Sequence, residues 1–193
     1  YILLFSALTF YFLSKASTRG FYAGFFFATI SVFTNGSGLV TIFSGLLILI
    51  IYKRFRESMI WASGTCLLAF FYFKNFHPHT NVLAGTQSLA GFKNMMMYFF
   101  AYLGSSISFN NLYIAIGVGL LFSLYLCFLI WNKYFERNIS AFMLMVYIFL
   151  TAGLVAAARS DLGIENVFAS RYKIDSIILM ILTLNSCVSN ELI

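Results

Sequence analysis

The chain has 193 residues, of which 61% are hydrophobic and only 9% charged, with a formal net charge of +6. An ordinary soluble domain carries roughly 25% charged residues, and 193 residues cannot cover a water-facing surface with so few. The composition therefore excludes a soluble domain and points to a chain whose solvent is lipid.

The apolar residues form blocks, with the charges gathered between them. Apolar and polar residues do not alternate in 46–52 or 112–131, as a barrel strand would require. In a bilayer every backbone N–H and C=O must be satisfied internally, so such blocks become helices. The expected fold is all-α: a polytopic transmembrane helical bundle of about seven spans, with a short-helix hairpin and one interfacial or re-entrant segment. The spans fall at 1–13, 20–34, 37–52, 58–73, 112–131, 140–157 and 175–190. Residues 1–193 read as part of a single transmembrane domain truncated at both ends, because there is no initiator Met and the first span is cut short.

In chain order, the first decision falls at 21–52. One continuous helix there would be about 48 Å long, more than a bilayer needs. Thr34-Asn35-Gly36-Ser37-Gly38 lies at its middle, and Gly and Asn accept turn geometry cheaply. Two short helices in a hairpin are expected. Lys15, Arg19, Lys53, Arg54, Arg56, Lys133 and Arg137 then face the cytoplasm, against Lys74, Lys93, Arg159, Arg171 and Lys173 outside, a margin of seven to five. Trp61 and Trp131 are expected near the cytoplasmic interface. Asn35 either lines a cavity or satisfies the turn's own backbone, the structural role being favoured.

Segment 74–111 is expected outside the cytoplasm, and within it 95–103 is apolar but too short to span, so it reads as interfacial or re-entrant. His77-Pro78-His79 lacks the further ligands of a metal site, and Met95-Met96-Met97 cannot face one point; no metal is expected. Cys66, Cys127 and Cys187 each fall in a span, which argues against disulfides and metal clusters. The cations form no run, so nucleic acid is excluded as a partner. The lipid bilayer is the partner that composition implies, and no cofactor is expected.

The second outer segment, 158–175, holds Arg159, Asp161, Glu165, Arg171, Lys173 and Asp175. Arg presents a planar fork suited to phosphate or carboxylate, and Tyr172 adds a ring and hydroxyl. Arg159, Arg171 and Tyr172 are the candidate contacts for an anionic group. The competing reading is a solvated loop whose charges pair with one another. No nucleophile elbow, phosphate loop or dinucleotide fingerprint is present, and no carboxylate is placed inside a span, which argues against an ion-coupled pump.

The Gly-rich break in 21–56 with its basic turn resembles a hairpin of multi-spanning C-type membrane glycosyltransferases. Tyr102-Leu103-Gly104 and Ala158-Arg159…Gly163…Ala169-Ser170-Arg171-Tyr172 resemble uncharacterised bacterial inner-membrane proteins grouped with envelope-polysaccharide machinery. The resemblance implies a multi-pass protein of the bacterial inner membrane that transfers a glycosyl group at the outer face from a polyprenyl-phosphate-linked sugar. It places the catalytic acid in an upstream outer loop, so the catalytic residue stays unknown, and Arg159, Arg171 and Tyr172 become donor or acceptor contacts. A transporter or flippase for a lipid-linked or polar solute, and a non-catalytic membrane subunit, are the alternatives.

Overall fold

The computed structural model describes residues 1–34, 36–74, 89–160 and 163–191. Among the described residues the fold is all-helical: α1 (Ile2–Ser14), α2 (Thr18–Thr34), α3 (Gly38–Ile51), α4 (Phe55–Lys74), α5 (Leu89–Gly104), α6 (Leu112–Trp131), the single turn α7 (Tyr134–Arg137), α8 (Ile139–Arg159), a 3-10 turn (Ile164–Phe168) and α9 (Ser170–Glu191). Helices α6 and α8, of 20 and 21 residues, are long and apolar enough to cross a membrane, while α1 and α3 are apolar but shorter. At 1.5 Å per residue the two longer helices each cover about 30 Å.

The chain divides into two compact units. Unit 1 comprises Tyr1–Pro78 and Tyr134–Tyr147; unit 2 comprises His79–Lys133 and Ile148–Ile193.

In unit 1 the stretch read as a hairpin is two helices, with α2 ending at Thr34 and α3 starting at Gly38. A side chain at Gly38 would put its Cβ 2.2 Å from the Ser31 carbonyl oxygen, so only glycine lets α3 return so close to α2. The helices are joined by hydroxyls: Thr41 Oγ1 lies 3.1 Å from Ser31 Oγ and 2.7 Å from Ser6 Oγ on α1, all three buried. Hydroxyl pairs of this kind hold apolar helices together without a charge.

Helix α4 is fastened by Trp61. Its indole is 0% exposed, and Nε1–H donates to the Ile42 carbonyl at 2.9 Å. Phe21 and Phe25 meet the ring edge-on, with centroids 5.9 and 5.3 Å away. Gly45 opens the space, since a Cβ there would lie 2.5 Å from the indole. Trp61, expected near an interface for its indole, thus finds its N–H partner inside the unit. Trp131 is 87% exposed.

Unit 2 is built on an antiparallel pair. A Cβ at Gly104 of α5 would lie 2.1 Å from the Ala115 carbonyl oxygen, and one at Gly119 of α6 would lie 1.9 Å from the Phe100 carbonyl oxygen. Backbone approach this close is what small residues allow between apolar helices. The segment read as too short to span thus belongs to a 16-residue helix. Tyr98, Ala101, Tyr102 and Leu103 on it are buried. Asn111 starts α6, its side chain accepting from the Tyr113 and Ile114 N–H groups at 3.0 and 3.4 Å.

Candidate functional site

The polar chemistry of unit 2 collects where the loop 105–111 meets the first turns of α9. The loop leaves α5 through Ser105-Ser106-Ile107-Ser108 and reverses at Phe109 and Asn110, whose φ angles are 47° and 63°. Two successive non-glycine residues in the left-handed region are costly unless the surroundings hold them. Part of that hold is visible. Ser108 Oγ donates to the Ser105 carbonyl at 3.1 Å, and Lys173 Nζ donates to Asn110 Oδ1 at 2.9 Å.

Ser176, fully buried on α9, is the hinge of the contact. Its Oγ donates to the Leu103 carbonyl, lies 2.8 Å from Ser106 Oγ and accepts from the Ser106 N–H at 3.2 Å. One residue earlier, Asp175 accepts a hydrogen bond from the buried Tyr102 hydroxyl. The Tyr172 ring lies 5.0 Å from the Tyr102 ring, tilted by 44°. Ser105 and Ser160 place buried hydroxyl oxygens that have no hydrogen-bond partner among the described residues. Such hydroxyls cost about 1–3 kcal/mol each unless something else bonds them.

The α9 helix begins at Ser170, five residues before the expected span. Asp175, read as a loop charge, consequently lies on its second turn, half-buried beside α5. The 3-10 turn that precedes α9 starts after Gly163, at φ 99°, and is anchored by the fully buried Val167.

Of the candidate residues, Tyr172 is drawn into the cluster and buried, with its ring on Tyr102. Arg171 takes the preceding position on the first turn of α9, its side chain outside what the structure describes. Arg159 ends α8 half-buried, and the hydrogen-bonded cluster is made by Tyr102, Asp175, Ser106 and Ser176 instead. Asn35, His77 and His79 lie outside the described residues. Among the described residues no group of three His, Cys, Asp or Glu side chains is placed to hold a metal.

Sequence reasoning missed Tyr102, Asp175 and Ser176 as site members. The available signal was the Asp175-Ser176 pair opening an apolar helix and the serine-rich run 105–108, both unusual in so apolar a chain. Both tyrosines are buried, so the group left to meet a ligand is the half-buried Asp175 carboxylate, which accepts from hydroxyl donors. No family model, curated protein or solved structure matches the chain.

Proposed function

We propose that this chain is a multi-pass membrane protein whose unit 2 binds the polar headgroup of a lipid-linked sugar at the Tyr102–Asp175 cluster. The membrane part of the reading is supported by α6. Leu121, Leu124, Phe128 and Trp131 stand exposed along it, and little of the helix is covered. In water an apolar surface of that extent drives association; hydrocarbon covers it. Helices α1 and α3 are short, apolar companions that a locally thinned bilayer accommodates.

The observation that carries the site is the Tyr102–Asp175 hydrogen bond. In a chain with 9% charged residues, a carboxylate is held between two apolar helices and next to a second tyrosine ring. A carboxylate accepts from sugar hydroxyls. Arg171 and Lys173, on the same first turn of α9, supply the countercharge that a phosphate linkage needs. Glycosyl transfer in envelope-polysaccharide assembly is the activity this recognition would serve, with the catalytic acid in the upstream outer loop that the family resemblance implies.

The test is photo-crosslinking of a polyprenyl-phosphate-hexose analogue to the full-length protein. Asp175→Asn and Arg171→Ala should each weaken capture about 10- to 100-fold, the worth of one charge-assisted contact, and Arg171→Lys should rescue only part. Unchanged capture by both variants at normal membrane insertion would reject the site. The transporter reading draws on a different observation, the buried Ser6–Thr41–Ser31 hydroxyls of unit 1 beside Ser44, whose Oγ has no partner among the described residues. Substrate uptake into proteoliposomes that is lost in Thr41→Val would favour it.

A further inference from the structure

Outside that site, one end of unit 1 concentrates cations. The turn from α3 to α4 is tied to the turn from α1 to α2 where Arg54 Nη2 donates to the Ser17 carbonyl at 3.4 Å. The start of α8 comes to the same end, with Ser140 Oγ donating to the Phe10 carbonyl at 3.5 Å, one turn before α1 stops. These bonds bring Lys15, Arg19, Lys53, Arg54, Arg56 and Arg137 to one end, with Glu57 and Glu136 as the carboxylates in the same turns.

Some of these cations have partners inside the unit and some, among the described residues, do not. Glu57 pairs with Arg54. Lys15 folds back until its Nζ lies 4.3 Å from the centre of the Tyr11 ring. Arg19, Lys53 and Arg56 are exposed, with no carboxylate against them among the described residues. Arg54 is half-buried, yet its Nη1 has no hydrogen-bond partner among the described residues. Helices α2 and α4 both begin at this end, so their unpaired N–H groups add to the positive field.

The surroundings select the kind of anion. Tyr22, Ile51, Phe55 and Met59, all exposed, flank the cations on the helix ends. A small soluble anion gains nothing from such neighbours. A phospholipid satisfies both, with its phosphate on the arginines and its first acyl carbons on the aromatic and aliphatic rim.

We propose that the basic end of unit 1 is a binding site for the phosphate of an anionic phospholipid. The proposal rests on the membrane reading above and is independent of the Tyr102–Asp175 cluster. The bound lipid bridges the α1–α2 and α3–α4 turns, so it stabilises unit 1 as well as neutralising it.

The test uses the full-length protein in a nonionic detergent, titrated with dioleoyl phosphatidylglycerol, dioleoyl phosphatidylcholine or inorganic phosphate and read by native mass spectrometry. Phosphatidylglycerol should bind saturably and at least about tenfold more tightly than phosphatidylcholine, with inorganic phosphate neither binding nor competing at lipid concentrations. Arg56→Gln should weaken phosphatidylglycerol about fivefold, and Lys53→Gln with Arg56→Gln about 25-fold. Lys74→Gln with Lys93→Gln, which removes the same charge at the far end of α4 and in unit 2, should leave it unchanged. Equal affinity for both lipids, equal loss in the two double variants, or inorganic phosphate replacing the lipid would each overturn the proposal. If the Lys53–Arg56 double variant fails to fold, Arg56→Gln alone decides. Alkaline carbonate extraction, run in parallel, separates the two levels. A chain released from membranes refutes the membrane reading, whereas a retained chain with no preference for phosphatidylglycerol refutes only the lipid site.

Discussion

The two units use the same apolar alphabet and treat their polar atoms differently. Unit 1 pairs neutral groups inside, joining Ser6, Thr41 and Ser31 and seating the Trp61 N–H on the Ile42 carbonyl, and it gathers most of its charges at one end. Unit 2 brings a carboxylate inward, fixing Asp175 to Tyr102 where α5 meets α9. A neutral hydroxyl pair costs little to bury and returns little beyond adhesion. A half-buried carboxylate is costlier, because its charge loses water, and helix adhesion alone does not need one. The Asp175 contact is the one on which the recognition site proposed for unit 2 rests.

The largest expected effect attacks the frame of unit 2. Gly119→Val drives a Cβ into the Phe100 carbonyl, and the resulting displacement of α5 should cost about 3 kcal/mol or more. Gly117→Ala, where an added Cβ meets nothing within 4 Å, should be neutral or stabilising by up to about 1 kcal/mol. Unfolding in mixed micelles checks both. Similar losses in the two variants would mean that close α5–α6 packing does not support this unit.

Next in size is the buried pair itself. Tyr102→Phe removes the donor to Asp175 and should cost about 1.5–3 kcal/mol, the range for a hydrogen bond to a charged group. In a double-mutant cycle with Asp175→Ala the loss in the double variant should fall short of the sum of the two single losses, because both break one interaction. Full additivity in the same micelle assay would show that the two side chains do not work together.

In unit 1, Trp61→Phe keeps an aromatic ring against Phe21 and Phe25 but loses the N–H bond to Ile42 and part of the ring volume. A loss of about 1–3 kcal/mol is expected from the bond and the cavity together. Thermal unfolding followed by indole fluorescence of the remaining Trp131 is unsuitable, since that residue is exposed, so circular dichroism is the readout. No loss would sharpen the comparison by showing that ring packing alone, without the N–H bond to Ile42, holds α4 against α3.

Smallest is Thr41→Val, which preserves shape and deletes both hydroxyl contacts to Ser6 and Ser31. Hydrogen bonds between helices in lipid average about 0.6 kcal/mol, so a loss of about 1 kcal/mol is expected. A loss as large as that of Tyr102→Phe would erase the distinction between the two units.

The helical class and most helix positions were legible in the residues, because apolar blocks bounded by charges leave lipid-exposed backbone no other way to bond. The break between α2 and α3 was legible too, through Asn35, Gly36 and Gly38. The full burial of Trp61 was not legible, because an indole's preference for interfaces says nothing about a glycine on the facing helix that makes room for it. The start of α5 was less legible than its apolar stretch 95–103, because the helix begins at Leu89, among residues that are not strongly apolar.

Composition and the order of apolar blocks by themselves determined that this chain is helical, where it turns and which turns are basic, since those follow from local hydropathy and backbone bonding. Which polar residues meet was decided only by tertiary structure. Tyr102 and Asp175 are 73 positions apart, as are Leu103 and Ser176. Their encounter depends on the start of α9 and on how closely α5 and α6 approach through Gly104 and Gly119. Packing of backbones at van der Waals distance leaves no periodic mark on the chain, because its information lies in the absence of side chains at a few points that face each other only after folding.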